Sequence, residues 1–442
     1  MDNVSSGMMS SGVQVMKIRI VKTGLRDPEY ETAVVKSRLR NPHVAFSTRL
    51  VIRYAWLNHH HTGWEGLCEG EAGRMGKTTV VVMLSTWNGE RYLAEQLESL
   101  AAQEGDFHLK LKIRDDGSTD GTIDLIKSFC RQTEGGSAGT GPEHEAVKNR
   151  MNNVSSRFSV SLVQGENLGF VRSFFELLCQ SDMQPDDESD NQADSQADNQ
   201  EDDRTEKQPD GQTQWYAFCD QDDVWQPDKL NRAIQMLRAE AGDAAEEPLL
   251  YSSRLQMVDG KRQPIGYTRI TRRMPSFTNA LVENIATGAT LVMNRSARDL
   301  LAEGIARIAG TDVKDVLLHD WWCYLVISAF GKVLYDTESR ILYRQHELNA
   351  VGQKNGFLAR QKQRLHRFAK QGNVRGITRQ AQLFSSMYAV CLPIRSQQVL
   401  QRFLDRDAHF FKRIAYAVHP DVKRQAWYDD LILRLLIFLG RI

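Results

Sequence analysis

Between residues 79 and 237, short apolar runs of strand length alternate with longer segments of helical periodicity, and this alternation most limits what the chain can fold into. "TVVVML" (79–84), "LKLKIR" (109–114), "FSVSLVQ" (158–164) and "WYAFC" (215–219) read as short buried strands. Helical spacing follows in Leu93, Leu97, Leu100 and Ala101, in Phe170, Phe174, Leu177 and Leu178, and in Leu230, Ile234 and Leu237. Strand followed by helix, repeated, predicts an α/β fold with a mostly parallel central sheet and right-handed crossovers.

Such sheets bind ligands outside the carboxyl ends of their strands. The four strands end in "STWNGE", "RDDGST", "QGENLG" and "CDQDD", so carboxylates, amides and glycines all gather on one edge. The last cluster places Asp220, Asp222 and Asp223 within four residues. Carboxylates that close raise one another's pKa and cost stability unless water, hydrogen-bond donors or a cation offsets the repulsion. One Asp-rich turn is an ordinary solvated loop; four polar strand ends on one edge make a ligand crevice.

Composition limits the alternatives. The 442 residues suggest two or three structural units, and a hydrophobic content of 41% is enough for a real core. Fifty-six basic residues balance fifty-six acidic ones, which gives no overall attraction to nucleic acid. The six cysteines lie far apart with no CxxC pair, as expected of reduced thiols in the cytosol, and no structural zinc site is visible. The start of the chain has no apolar signal region, and "LILRLLIFLG" near its end is broken by Arg434 and shorter than the ~20 residues that span a bilayer.

Three segments lack the pattern of a folded core: residues 1–74, the Gly/Ser/Asn-rich 131–156, and 182–213, which are rich in Asp, Gln, Asn and Glu. One folded domain is expected over 75–350, with the second and third segments as mobile insertions. Residues 351–442 are expected to form a helical, basic and amphipathic C-terminal region. Residues 348–404 contain no acid, and a basic stretch of this kind is either a solvated face or a contact with an anionic membrane.

Taken in order, "TWNGERYLAEQLESL", "DDGSTDGT", "NLGFVRSF", "DQDDVWQPDKL", "GATLVMNR", "HDWW" and "LYRQH" resemble the family 2 glycosyltransferases of the GT-A fold, specifically their rhamnosyltransferase-like branch. The resemblance covers about residues 77–350. It implies an inverting transfer of a sugar, L-rhamnose or similar, from a nucleotide-diphosphate donor to a hydroxyl of a cell-surface polysaccharide or lipid-linked acceptor. It also implies a cytoplasmic enzyme, with peripheral contact at the inner face of the membrane.

Chemistry points the same way, because a departing diphosphate must be neutralised and a divalent ion on oxygen ligands does this without proton transfer. Asp220 and Asp222 would suit Mg2+ or Mn2+. By the resemblance, Asp222 is the direct ligand, Asp220 lies near the ribose or a metal-bound water, and His346 lies near the metal or diphosphate. Asp223 is expected to cap the helix that begins near Pro227.

The remaining roles follow from the same matches. Asp115 or Asp116 would accept from a base N–H or a ribose hydroxyl. Trp87 matches an aromatic that lies against the nucleobase, although residue type alone allows a core tryptophan equally, and Thr86, Asn88 and Glu90 surround it. Asn167 and Gly169 would let backbone approach the donor, and Arg172 would reach a phosphate or else lie on the surface. On the acceptor side, Gly288 sits in a strand, and Asp320 matches the general base. His319, Trp321 and Trp322 would contact the acceptor, the tryptophans through apolar faces. Residue types alone leave "HDWW" open as a helix start with an Asp cap and core aromatics.

Three other signals fail. "GEAGRMGKTT" has Glu71 where a phosphate-binding loop needs its first glycine. A calcium loop starting at Asp116 would need Glu where Lys127 stands. The run His59, His60 and His61 has no acidic or thiol partner at a credible spacing. Two other functions stay open: a sugar nucleotidyltransferase, which would need more glycine than "STWNGERYL" offers after the first strand, and a nucleotide-sugar or glycan-binding protein without turnover.

Overall fold

The computed structural model describes residues 78–133, 157–182, 213–241, 246–308, 313–345 and 373–442. Residues 1–74, most of the two insertions and His346 lie outside the described residues.

Strands β1 (Thr79–Thr86), β2 (His108–Asp115), β3 (Phe158–Gln164) and β4 (Gln214–Cys219) occur where the apolar runs predict them. They lie parallel in the order β3-β2-β1-β4. Helices α1 (Leu93–Ala101), α2 (Thr122–Thr133) and α3 (Phe170–Cys179) follow the first three strands, and α4 (Lys229–Ala241) follows the fourth. Because α2 runs to Thr133, the first residues of the expected 131–156 loop are helical.

Alternation along the strands fills both faces of the sheet. Val80, Val82 and Leu84 of β1 pack with Trp215, Ala217 and Cys219 of β4 against α1, α2 and α4. Val81 and Met83 pack with Tyr216 and Phe218 against α3 on the other face. A strand buried on both faces has no polar side, which is why these strands read as unbroken apolar runs.

Beyond β4 the sheet changes direction. β8 (Val292–Asn294) pairs antiparallel with both β4 and β6 (Leu249–Val258), and the 13-residue β9 (Lys332–Arg344) runs parallel to β6. The two-residue β5 (Val224–Trp225) pairs antiparallel with the far end of β9, and β7 (Pro264–Tyr267) pairs antiparallel with β6. The β5–β9 pairing brings the Asp220–Asp223 loop against Arg344. The result is a mixed, mostly parallel sheet flanked by helices, the GT-A fold.

Helices α5 (Phe277–Ala280), α6 (Arg295–Ile308) and α7 (His319–Phe330) complete the second half. The C-terminal helices α8 (Asn373–Tyr388), α9 (Ile394–Asp405), α10 (Phe410–Val418) and α11 (Trp427–Phe438) do not form a separate layer. Phe384, Tyr388, Leu400, Phe403 and Ile437 join the same apolar cluster as Phe174, Phe218 and Trp322, so this region is part of the main core. Among the described residues, no helix is long and apolar enough to cross a membrane.

Candidate active site

The carboxyl ends of β1, β2 and β4 are level with one another, since Thr86 pairs with Asp115 and Leu84 with Cys219. The loops after them are laced together by side-chain to backbone hydrogen bonds. Asn88, in the left-handed region at φ 47°, receives the Thr119 N–H on Oδ1 and donates its own N–H to Ser118 Oγ. Glu90 accepts from the Gly121 N–H, and its own N–H donates to Asp120. Asn88 and Glu90 therefore fix the shape of the crevice wall.

Asp115 and Asp116 are both buried and do different work. Asp115 receives the Thr86 hydroxyl at 2.8 Å and both the N–H and the hydroxyl of Ser118, which sets the turn that leaves β2. Asp116 pairs with Arg114 and accepts the N–H groups of Leu168 and Gly169, each at 2.8 Å. These bonds pin the β3–α3 loop to β2. Gly169 sits at φ 78°, a backbone conformation that a side chain would strain, while Asn167 accepts the Gly169 N–H at 3.1 Å. Arg172 is exposed one turn into α3.

Trp87 stands 53% exposed at the crevice, so it is not a core tryptophan. Its backbone is held on both sides by one amide: the Trp87 N–H donates to Gln221 Oε1 at 2.8 Å, and Gln221 Nε2 donates to the Trp87 carbonyl at 2.9 Å. Gln221, the second residue of "DQDD", thereby ties the β1 loop to the β4 loop.

In the acidic cluster, burial, then Asp222 and Asp320, push the Asp220 carboxyl up to about 7, and Lys229 opposes them. Asp223 is fully buried and does not cap α4, which begins at Lys229. It accepts the Arg344 N–H at 3.1 Å, and its second oxygen is unpartnered. Burial, then Asp222 and Asp220, drive the Asp223 carboxyl well up. Lys229 lies beneath, buried, with its Nζ 3.1 Å from the Trp225 ring centroid and without a hydrogen-bond partner; burial pushes it down to about 7 against Cys219, Asp223 and Asp220.

Among the described residues, no three His, Cys, Asp or Glu side chains form a metal cluster. Magnesium-type binding needs only one or two carboxylates, with substrate phosphates and water completing the shell. The donor set fits, because Asp220 and Asp222 supply hard oxygen close to a buried, unpartnered carboxylate oxygen of Asp223. His346 contributes nothing that can be described.

Asp320 enters from the other half of the sheet, in the first turn of α7, whose N-cap is Leu318. It is therefore not the cap of that helix. Its Oδ2 accepts the Gly288 N–H at 2.9 Å, and its Oδ1 accepts Asn284 Nδ2 at 2.9 Å and the Trp321 N–H at 2.6 Å. Burial raises its carboxyl to about 6 in spite of these bonds. Gly288 is not in a strand as expected but in a single turn of 3-10 helix, Gly288–Thr290, ahead of β8. A Cβ there would lie 2.7 Å from His319 Nε2, so close approach requires the glycine.

The other two "HDWW" aromatics and the histidine are placed differently from the sequence expectation. His319 is buried, stacked on Phe174 at 4.1 Å with Phe218 and Phe170 edge-on, and neither ring nitrogen has a partner. Burial lowers it to about 3, so it is neutral. Trp322 is 0% exposed against Phe384 and Tyr388, so it has no face to offer a sugar ring. Trp321 is half-buried, and its Nε1 donates to the Ala280 carbonyl. An almost wholly apolar helix buries all its sides, and its first turn follows the same rule, taking His319 and Asp320 into the interior with it.

Arg344 is the main residue that sequence reasoning missed. It is 1% exposed, and its guanidinium donates to the Asp222 carbonyl, the Gly260 carbonyl and Glu95 at 2.8, 2.9 and 2.7 Å. It fixes the acidic loop from behind. Its one sequence signal is its place in "LYRQH", two residues before His346. Asn284 and Gln221 were missed too, because an amide that positions a loop has no spacing rule of its own.

No protein-family model matches the chain. It is 24% identical over 282 residues to the dTDP-rhamnosyl transferase RfbG of Shigella flexneri, an alignment that covers 63% of this chain and 77% of that one. Among solved structures, S. aureus TarS 1-349 in complex with UDP is 15% identical with a TM-score of 0.39, covering 83% of this chain and 81% of that chain. The mannosyltransferase PcManGT from Pyrobaculum calidifontis, in complex with GDP-Man and Mn2+, is covered to 86% at a TM-score of 0.35, with 14% identity over 82% of this chain. By its fold, the order of its motifs and the curated relative, the chain is similar to the rhamnosyltransferase-like glycosyltransferases of the GT-A fold.

Proposed function

We propose that the chain is an inverting family 2 glycosyltransferase that moves a sugar from a nucleotide-diphosphate donor to an acceptor hydroxyl. The observation that carries this reading is the meeting of two differently built acidic groups in one crevice: Asp320 is close enough to help raise Asp220, yet the two come from opposite halves of the sheet. Asp220 and Asp222 would hold Mg2+ or Mn2+ against the donor diphosphate. When bound, the ion would neutralise the phosphate charge that develops as the sugar leaves.

The chain's own residues do the rest. Trp87 offers an exposed ring to the nucleobase, while Thr86, Asn88, Glu90, Asp115 and Asp116 set the wall beside it. Asn167, Gly169 and Arg172 line the approach from α3. Asp320, held by three donors and pushed up towards neutrality by burial, takes the proton from the attacking hydroxyl. Attack from the side opposite the diphosphate inverts the anomeric carbon and needs no covalent sugar intermediate. The relative in Shigella, named as a dTDP-rhamnosyl transferase, favours dTDP-L-rhamnose as donor.

Acceptors are polysaccharide or lipid-linked glycans, met at the cytoplasmic face of the membrane. Exposed Phe410, Phe411, Leu431, Leu435 and Phe438 on α10 and α11, with Lys412 and Arg441 nearby in sequence, support contact with an anionic surface. The test is binding and release: purified protein titrated with dTDP-L-rhamnose, UDP-GlcNAc and GDP-mannose in Mg2+, followed by assay of nucleotide diphosphate release with glycan acceptors. The reading predicts selective donor binding and acceptor-dependent release; a donor panel that fails to bind at millimolar concentration refutes it.

A further inference from the structure

A cavity of about 690 Å3 opens beside the proposed base. Asn284 and Thr287 line it, and the Asn284 amide donates to Asp320 at 2.9 Å, so the cavity wall and the base share a hydrogen bond. Its other walls come from the middle of β6, from Tyr335 of β9, from residues 268–272 after β7, and from the turn that starts α11. The volume is too large for one hydroxyl-bearing ring and suits a ring with a further substituent.

The charge of the walls is uneven. Arg254, Arg269 and Arg272 all line the cavity, and among the described residues none of the three is paired with a carboxylate. Arg254 is instead oriented by the Thr268 carbonyl at 2.8 Å and lies 4.7 Å from the Tyr267 ring centroid. Arg269 is held by the Tyr428 hydroxyl. Of the two acids in the wall, Glu283 is already engaged by Arg424 at 3.5 Å and by the Gln425 N–H at 2.6 Å, and Asp429 is buried. Three arginines against two acids, one of which is already engaged, give the wall a basic surplus, and forked guanidinium donors match phosphate oxygens.

We propose that this cavity is an acceptor subsite for a glycan whose reacting sugar carries, or is linked to, a phosphate ester, and that Arg254, Arg269 and Arg272 bind that phosphate. The inference rests on the glycosyltransferase reading, since Asp320 is what makes the cavity an acceptor site. A phosphate is favoured over a carboxylate because it carries more charge and more acceptor oxygens than one guanidinium fork can satisfy. The phosphate anchors the acceptor, and the Asn284–Asp320 side of the cavity receives its hydroxyl. No bond to phosphorus is made or broken.

The test uses the full chain with Mg2+ and saturating dTDP, so that the donor crevice is filled. Glucose 1-phosphate, glucose and glucuronate are then titrated by calorimetry. Glucose 1-phosphate should bind at least about tenfold more tightly than glucose, and Arg269→Gln and Arg272→Gln should each weaken it about ten- to hundredfold. Both arginines are exposed, so these variants should keep the wild-type melting temperature and dTDP affinity. Equal binding of glucose and glucose 1-phosphate, or unchanged affinity in both variants, overturns the subsite. Glucuronate binding as tightly as glucose 1-phosphate overturns its assignment to phosphate. If dTDP and every nucleotide sugar fail to bind, it is the glycosyltransferase reading that falls, so the two failures are distinguishable.

Discussion

Replacing Asp320 with asparagine separates the base from everything else the residue does, because the structure allows both halves of the effect to be worked out. Burial holds the Asp320 carboxyl near 6 rather than 3.8, so its ionised form costs the fold about 3 kcal/mol at neutral pH. The sign follows from the direction: with the folded value raised, the stability linked to Asp320 is full below about 4 and is lost as pH rises through about 6. Asparagine removes that cost. It also turns one of the two oxygens into an NH2 group facing donors from Gly288, Asn284 and Trp321, and one unsatisfied buried pair costs about 1–3 kcal/mol. The two contributions oppose each other, so Asp320→Asn should fold with a stability within about 2 kcal/mol of wild type. Turnover should fall by about 100- to 10,000-fold, the usual weight of a general base, with donor affinity unchanged. Urea unfolding, donor titration and acceptor-dependent nucleotide release on the same preparation measure all three. Wild-type turnover would refute the catalytic assignment, and lost donor affinity would move Asp320 to the nucleotide side of the crevice.

Asp222→Asn should weaken donor binding and turnover together in Mg2+ or Mn2+, and full activity of the wild type in excess EDTA would contradict metal dependence. The wild-type rate should rise with pH as Asp320 ionises near 6, and a profile flat from pH 5 to 8 with chemistry limiting would remove it as the base. Arg344→Lys keeps the charge but cannot reach Asp222, Gly260 and Glu95 together; about 3 kcal/mol of stability should be lost in chemical unfolding, with activity falling alongside. Co-sedimentation with anionic vesicles should drop steeply as salt is added, and equal binding to neutral vesicles would rule out an electrostatic attachment.

The parallel half of the sheet was legible in the sequence because its strands are buried on both faces, and such strands announce themselves as unbroken apolar runs between polar loops. The other half was not. β8 has three residues and β5 has two, too short for any periodicity, and β9 carries Asp336, Glu338, Arg340 and Arg344 among its apolar positions. Two of those charges are matched in three dimensions, Asp336 by Arg232 and Arg340 by Asp228, partners about a hundred positions away. The same reasoning explains the site. Carboxylates at strand ends could be found by spacing, but Trp322 and His319 looked exposed in function because their burial depends on Phe174, Phe218 and Phe384, which lie in other elements.

The acidic crevice explains the shape of the second half. Four carboxylates, Asp220, Asp222, Asp223 and Asp320, are brought near one another, and at least three of them are raised by burial or by one another. Left alone, such a cluster would push its loops apart. Lys229 lies beneath it and Arg344 behind it, both buried, and each is fixed by an aromatic: Lys229 over Trp225 and Arg344 over Tyr92, 4.4 Å from the ring centroid. These two cations oppose the repulsion among the acids, Lys229 lowering the Asp220 carboxyl and Arg344 that of Asp223. On the proposed reading, a divalent cation arriving with the donor would complete the neutralisation at Asp220 and Asp222. A chain built merely to be stable would have placed the arginine and lysine in front of the carboxylates, where Arg344 would close the crevice that Trp87 and Asp320 flank.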